Sequence, residues 1–148
     1  MDKKLIKAFY DACFSAKKMV EMIPAAPDGL PPHCLHVISA IYLLNQAQEK
    51  VRIIDVAMRL NLSKSTAAEY IHELIERQLV EKVPAENKRY IYVKLTVLGE
   101  KYYNEYVEKY HEKLSHIFGG VNNNDMLITI KTIQQTYYLL SQEYSKDC

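Results

Sequence analysis

The sequence predicts a mainly α-helical fold carrying one small β-hairpin, and three observations predict it. Apolar residues recur at helical spacing along most of the 148 residues. One stretch only, residues 79–95, breaks into short alternating runs around a turn of proline and charged residues. Apolar residues make up 49% of the chain and charged residues 25%, the balance of a globular domain long enough to bury a sizeable core.

Taken in order, Leu5, Phe9, Cys13, Ala16, Val20 and Ile23 step by three or four, which sets one face of an amphipathic helix that Pro24 ends. Pro24-Ala-Ala-Pro-Asp-Gly-Leu-Pro-Pro reads as the main linker. Pro31 or Pro32 suits the first turn of the next helix, where an amide lacks an intrahelical partner anyway. That second helix, over about residues 31–46, is apolar almost all round, since only His36 and Ser39 are polar between Cys34 and Leu44. It should therefore be central and covered by several neighbours. Residues 49–52 can form a short strand, and Ile54, Ala57, Met58 and Leu60 then give a short helix that stops at Asn61. Ser63 is placed to cap the following helix, whose inner stripe is Ala67, Ile71, Leu74 and Ile75. Residues 79–83 are strand-like, Pro84-Ala-Glu-Asn-Lys supplies a charged turn, and Ile91, Val93 and Leu95 alternate onto one face of the returning strand. Thr96 can cap a long fifth helix with the stripe Leu98, Tyr102, Tyr106, Tyr110, Leu114 and Ile117, halted at Gly119-Gly120. Residues 122–125 open a sixth helix, striped by Ile130, Ile133, Tyr137, Leu140 and Tyr144.

Composition narrows the class without naming a partner. The net charge is +1, but residues 50–96 hold nine Lys/Arg against six Asp/Glu, a local net of +3. A solvated face of mixed charge explains that asymmetry as well as a nucleic-acid surface does, so a motif must decide. Cys13, Cys34 and Cys148 are odd in number and lack C-x-x-C spacing, which indicates reduced thiols and neither a disulfide framework nor a structural zinc ribbon. The charged start and the lack of an apolar run of ~18 residues predict a cytoplasmic protein with no membrane partner.

The deciding motif is the order short helix, tight turn, capped helix, charged hairpin. A DNA-reading helix presents its N-terminal side chains to base edges while the preceding helix braces it across the backbone. In residues 53–72 the small Ala57 permits close helix crossing, and Asn61 tolerates the left-handed conformation of the turn. Ser63, Lys64, Ser65 and Thr66 offer hydroxyl and ammonium donors where the helix dipole favours phosphate, and Glu69 and Tyr70 follow one turn on. Asn87, Lys88 and Arg89 lie at the hairpin tip, suited to a minor groove or flanking phosphates. The fold class is thus a winged helix-turn-helix with a small hairpin wing, and the expected partner is double-stranded DNA.

With these residues in view, the chain resembles the MarR family of winged-helix transcription regulators. The resemblance is carried by Leu60-Asn-Leu-Ser-Lys-Ser-Thr, by Leu74 and Leu79-Val80, by Glu86-Asn-Lys-Arg, and above all by Val93-Lys-Leu-Thr-Val-Leu-Gly99 closing the wing. It extends in element order over the whole chain. It implies one domain over residues 1–148, with the winged helix in 35–98 and helical dimerisation segments in 1–30 and 99–148. It further implies a homodimer on a pseudo-palindromic operator, repressing until a small-molecule effector releases it. The chain departs from the family at Glu69, where a basic residue is frequent, and in the wing, where Asn87 and Lys88 replace an acidic residue and an arginine. Glu69, Glu73 and Glu76 on the recognition helix motivate an alternative, a winged-helix protein-interaction module with weak or no DNA affinity.

Four residues stand out as effector candidates: Cys13, His36, Tyr106 and Tyr110. Cys13, near Tyr10, invites comparison with a peroxide-sensing branch of the family, although free cysteine is also a common buried apolar residue. His33-Cys34-Leu35-His36 is the densest run of metal-ligand types, and a zinc-sensing branch exists. Its fifth-helix histidines lie four apart, whereas His111 and His116 are five apart and diverge by about 140° around a helix. No metal is therefore assigned. Seven tyrosines on the last two helices could line an aromatic pocket, or could simply pack a helix interface. The chain has no Gly-rich phosphate loop, G-x-S-x-G or H-E-x-x-H, so the sequence predicts no enzyme and no cofactor.

Overall fold

The computed structural model describes residues 1–24, 29–85 and 89–144, in two compact units, Met1–Glu108 and Lys109–Cys148. In the first unit helix α2 (Pro32–Ala47) is the axis. It buries Cys34, Leu35, Val37, Ile38, Ala40 and Ile41, which leaves little polar surface and forces neighbours onto several sides. Helices α3 (Ile53–Leu60) and α4 (Lys64–Glu76) pack against it, as does the hairpin of β1 (Val80–Val83) and β2 (Tyr92–Leu95). The core they close contains Val51, Val56, Ile71, Leu74, Val80 and Val93, all nearly inaccessible. Helix α1 (Lys3–Glu21) precedes this core with none of its residues buried; Phe9, Cys13 and Ala16 are half-buried, while Leu5 and Val20 are exposed.

The hairpin is antiparallel with Val80 opposite Leu95 and Val83 opposite Tyr92. Two sequence expectations change here. The strand expected at 49–52 is a single bridge, Arg52 to Tyr92, with the Val93 amide donating to the Val51 carbonyl at 2.9 Å. The Gln48 side chain closes on the Lys50 carbonyl at 2.9 Å and α3 begins at Ile53, so too few residues are extended to continue the pairing. Ile91, expected on the inner face with Val93 and Leu95, is exposed because the ladder ends at Tyr92 and alternation has no sheet to act on beyond it.

The fifth helix also differs. Thr96 caps it as expected, its hydroxyl accepting from the Gly99 amide at 3.0 Å and donating to the Gln78 carbonyl at 2.7 Å. After α5 (Val97–Tyr102), however, residues Tyr103–Glu108 form a π-helical turn. The buried line is Gly99, Tyr103 and Val107, not the neighbouring stripe of Leu98, Tyr102 and Tyr106. Steps of four drift by about 40° in an α-helix. The wider π turn opposes that drift and keeps Tyr103 and Val107 on the inner side, with Tyr103 stacked on Tyr42 of α2 at 3.7 Å. Gly99 is required by a different approach, that of α5 to the backbone just before β1: a Cβ there would collide with the Leu79 carbonyl oxygen.

The second unit holds α6 (Lys109–Ile117) and α7 (Asn123–Tyr144). The Asn122 side chain starts α7 by accepting from the amides of Asn124 at 2.8 Å and Asp125 at 3.2 Å. No residue of either helix is buried, and the expected stripe of Ile130, Ile133, Tyr137, Leu140 and Tyr144 is exposed. No helix among the described residues is long and apolar enough to cross a membrane.

Candidate nucleic-acid interface

The turn between α3 and α4 is built on Asn61, in the left-handed region at φ 54° and ψ 40°. Asparagine occupies that region more readily than other side chains, and here it lets the Leu62 amide close back onto the Ala57 carbonyl at 2.9 Å. Two residues on, the Ser63 hydroxyl accepts from the Thr66 amide at 3.1 Å and donates to the Thr66 hydroxyl at 2.7 Å. Ser65 lies 3.4 Å from Ser63, oxygen to oxygen. The first turn of α4 is thus a connected set of hydroxyls at a positive helix end. Ser63, Lys64 and Ser65 are exposed there and Thr66 is half-exposed, with Ala67, Ile71 and Leu74 anchoring the opposite side of the helix in the core.

Of the residues expected to read DNA, Ser63, Lys64, Ser65, Thr66 and Glu69 share this solvent-facing start of α4. Tyr70 turns the other way and stacks on His33 of α2, with ring centroids 4.0 Å apart and planes inclined by 25°. Asn87 and Lys88 lie outside the described residues. Arg89 stands at the base of the hairpin tip, its guanidinium 5.7 Å from the Tyr90 ring centre.

Arg52 does not stand out in the sequence, yet its guanidinium lies 5.2 Å from the centre of that same Tyr90 ring. It forms an ion pair with Asp55 at 2.9 Å, and the Asp55 carboxylate also accepts from the Arg52 amide at 2.9 Å. Those hydrogen bonds hold the Asp55 carboxyl below its ordinary range, and they fix the start of α3 against the wing. A basic N-cap followed three residues later by an aspartate is the signal available in the sequence.

A second cluster joins the back of α4 to the start of α2. The Cys34 thiol donates to Glu73 Oε2 at 3.8 Å, His33 Nε2 is 3.8 Å from the same oxygen, and Arg77 holds Glu73 Oε1 at 3.6 Å. Burial, and next the Glu73 carboxylate, push the Cys34 thiol up to about 11. Of the run His33-Cys34-Leu35-His36, the first two residues join this cluster, while His36 is exposed.

The effector candidates fall on separate elements. Cys13 is half-buried on α1, His36 is exposed on α2, and Tyr106 is half-buried in the π turn, edge-on to Tyr102 at 5.3 Å. Tyr110 belongs to α6 in the second unit.

Residues 35–99 match the family model described as a winged helix DNA-binding domain. No curated protein matches the chain. Among solved structures, a MarR/EmrR family transcriptional regulator from an Acinetobacter species superposes with a TM-score of 0.70 at 15% identity, covering 94% of this chain and 99% of that one. FabT of Streptococcus pneumoniae, solved in complex with DNA, gives 0.63 at 16% identity over 95% and 99%. BpsR of Bordetella bronchiseptica, whose DNA binding is regulated by 6-hydroxynicotinic acid, gives 0.65 at 16% identity over 90% and 98%. One of these neighbours is a transcriptional regulator and the other two bind DNA, and the fold they share with this chain extends beyond the winged helix to nearly its full length.

Proposed function

We propose that this chain, a winged helix protein of MarR-type fold, is a DNA-binding transcription regulator that represses from a pseudo-palindromic duplex operator as a homodimer. The observation that carries the reading is the first turn of α4: a core-anchored helix, entered through a left-handed Asn61, presents Ser63, Lys64, Ser65 and Thr66 together at its positive end. Such a start suits base edges and phosphates in a major groove. Arg89, with Asn87 and Lys88 beside it in sequence, would supply the flanking phosphate contacts. A solved DNA complex among the structural neighbours supports the same role.

Exposed apolar surface supports the homodimer. Helix α1 and, separately, the helices of the second unit expose long apolar side chains, including Phe14, Leu127, Ile128 and Leu139, and apolar faces left bare in this way mark interaction surfaces. A two-fold partner covers such faces with one self-complementary contact. Sedimentation at micromolar concentration should give twice the chain mass of 17.2 kDa, and a monomer would sink the assembly. A small-molecule effector is the proposed release signal, with Cys13, His36, Tyr106 and Tyr110 as the residues to probe.

Titrating a random duplex at two salt concentrations tests the DNA role directly. A reader that neutralises several phosphates loses affinity steeply with salt, with a slope of about −0.9 per phosphate contact. Exposed Glu69, together with the exposed pair of His72 and Glu76 at 3.3 Å, favours the second reading, a protein-interaction module, and that module would show almost no slope.

A further inference from the structure

We propose that His33, Cys34 and Glu73 form a regulatory site for a zinc-class divalent cation, tying the recognition helix α4 to the start of α2. The ligating atoms of the three residues all lie within 4.8 Å of one another, and two of the separations, both to Glu73 Oε2, are 3.8 Å. A tetrahedral zinc ion bound at about 2.0–2.3 Å holds neighbouring ligand atoms roughly 3.3–3.8 Å apart, so the site closes with side-chain shifts well under a rotamer change.

The donors fit the ion in kind as well as in spacing. Imidazole, thiolate and carboxylate are the three ligand types that zinc accepts, so the Cys34 thiol gives up its proton to solvent as the ion binds, and a mixed set of this sort disfavours the harder magnesium and calcium ions. His33 Nε2 is buried and makes no hydrogen bond, and its contact with Glu73 Oε2 at 3.8 Å is long enough to leave the ring nitrogen free to turn to an ion in the cluster. Arg77 engages Glu73 Oε1 and thereby aims Oε2 at His33 and Cys34, the supporting contact that a metal ligand requires. The sulfur is buried, while the side chains of His33 and Glu73 keep 40% and 34% of their exposure, which provides a way in from solvent. Three protein ligands leave the fourth position to water, the pattern of an exchangeable site and not of a closed structural one.

Position makes the site regulatory. Glu73 and Tyr70 are one turn apart on α4, and His33 touches both, by its ring nitrogen and by its stacked face. Drawing Glu73 toward Cys34 and His33 therefore acts on the helix whose first turn is proposed to read DNA. The metal site stands on its own geometry; only its effect on DNA rests on the proposed function.

The test adds cobalt(II) as a spectroscopic substitute for zinc to metal-free, reduced full-length protein without DNA. Wild type should develop a thiolate-to-cobalt charge-transfer band that saturates at one ion per chain and is bleached by zinc. Glu73→Gln keeps the shape of the side chain, and His33→Phe keeps the stack on Tyr70 while removing the nitrogen ligands. Each should weaken cobalt binding by roughly tenfold or more. Cys34→Ala should abolish the band. Absence of the band in wild type, or a band of unchanged affinity in both Glu73→Gln and His33→Phe, overturns the site. Zinc should then shift the affinity of wild type for a labelled random duplex by several-fold and leave Glu73→Gln unmoved; equal affinities with and without zinc overturn the regulatory role. A protein that gives the band but binds no duplex refutes the DNA reading and leaves the metal site standing.

Discussion

Replacing Gly99 by Ala sets two effects of known size against each other. Gly99 lies in α5 outside the left-handed region, so helix propensity alone would make alanine stabilising by about 0.8–1.0 kcal/mol. Sterics oppose it. The added Cβ would run into the Leu79 carbonyl oxygen and come within 3.1 Å of the Leu79 carbonyl carbon and 3.2 Å of the Leu95 Cβ. Overpacking a close contact costs about 1–3 kcal/mol even where side chains can yield, and here the obstacle is backbone. That carbonyl also accepts from the Thr96 amide at 3.1 Å, and displacing it puts a further ~0.5–1.5 kcal/mol at risk. Sterics should win by about 2 kcal/mol, which lowers Tm by roughly 4–8 °C for a chain of this length. The assay is thermal and urea unfolding at one fixed protein concentration, with Gly120→Ala alongside, because a Cβ at Gly120 meets nothing within 4 Å. If Gly99→Ala melts at or above wild type, the inference that α5 is pressed onto the Leu79 carbonyl is wrong.

Three further outcomes are expected. Arg89→Ala should weaken binding to every duplex alike and reduce the salt slope by about 0.9 for each phosphate that the arginine neutralises; unchanged slope and affinity remove the wing from the interface. Ser65→Ala should narrow the gap between a selected operator and scrambled duplex by ~1–3 kcal/mol if the serine touches a base, whereas a fall in melting temperature with intact discrimination would assign Ser65 to the capping network around Ser63. Asp55→Asn should destabilise the protein at neutral pH, with the difference shrinking in acid: the folded carboxyl is held below its ordinary value chiefly by the Arg52 hydrogen bond, so its contribution is present above the unfolded pKa and lost as pH falls through the lower, folded one. A pH-independent difference between the two melting curves would show that the ion pair contributes nothing through linkage.

The elements that read most clearly from the sequence are those whose signal is local. Ser63 and Thr96 announce their helices because a hydroxyl three residues ahead of an orphan amide is a short-range requirement, and Asn61 marks the turn for the same reason. The nearly unbroken apolar run of α2 likewise states that it is surrounded. What the sequence does not disclose depends on distant partners. The stripe of Leu98, Tyr102 and Tyr106 has a stronger apolar pattern than Gly99, Tyr103 and Val107, yet the core takes the latter, because only a residue without a Cβ fits against Leu79 and the π turn carries Tyr103 onto Tyr42. Ile91 alternates correctly and still lies past the last strand pair. Glu73 reads as one more acid on a solvated helix, since nothing in its neighbourhood of sequence foretells a thiol 39 residues away.

The two faces of α4 are linked by how that helix is held. Its middle is clamped by Ala67, Ile71 and Leu74, each fully or almost fully buried, and a clamped helix responds to a pull at one point by turning as a body instead of bending. Its first turn stays in place through side-chain hydrogen bonds from Ser63, which are individually worth only about 1 kcal/mol and are exposed to water. The weak end of the helix is therefore the end that would meet DNA, and one turn further along Tyr70 and Glu73 hold α4 to His33 and Cys34. Anything that strengthens the second hold biases the orientation of the first turn, and by reciprocity any duplex that prefers one orientation biases the affinity of the second site. Measured together, zinc affinity with and without duplex and duplex affinity with and without zinc must change by the same factor. Unequal factors would mean that zinc acts on DNA binding from somewhere other than this cluster.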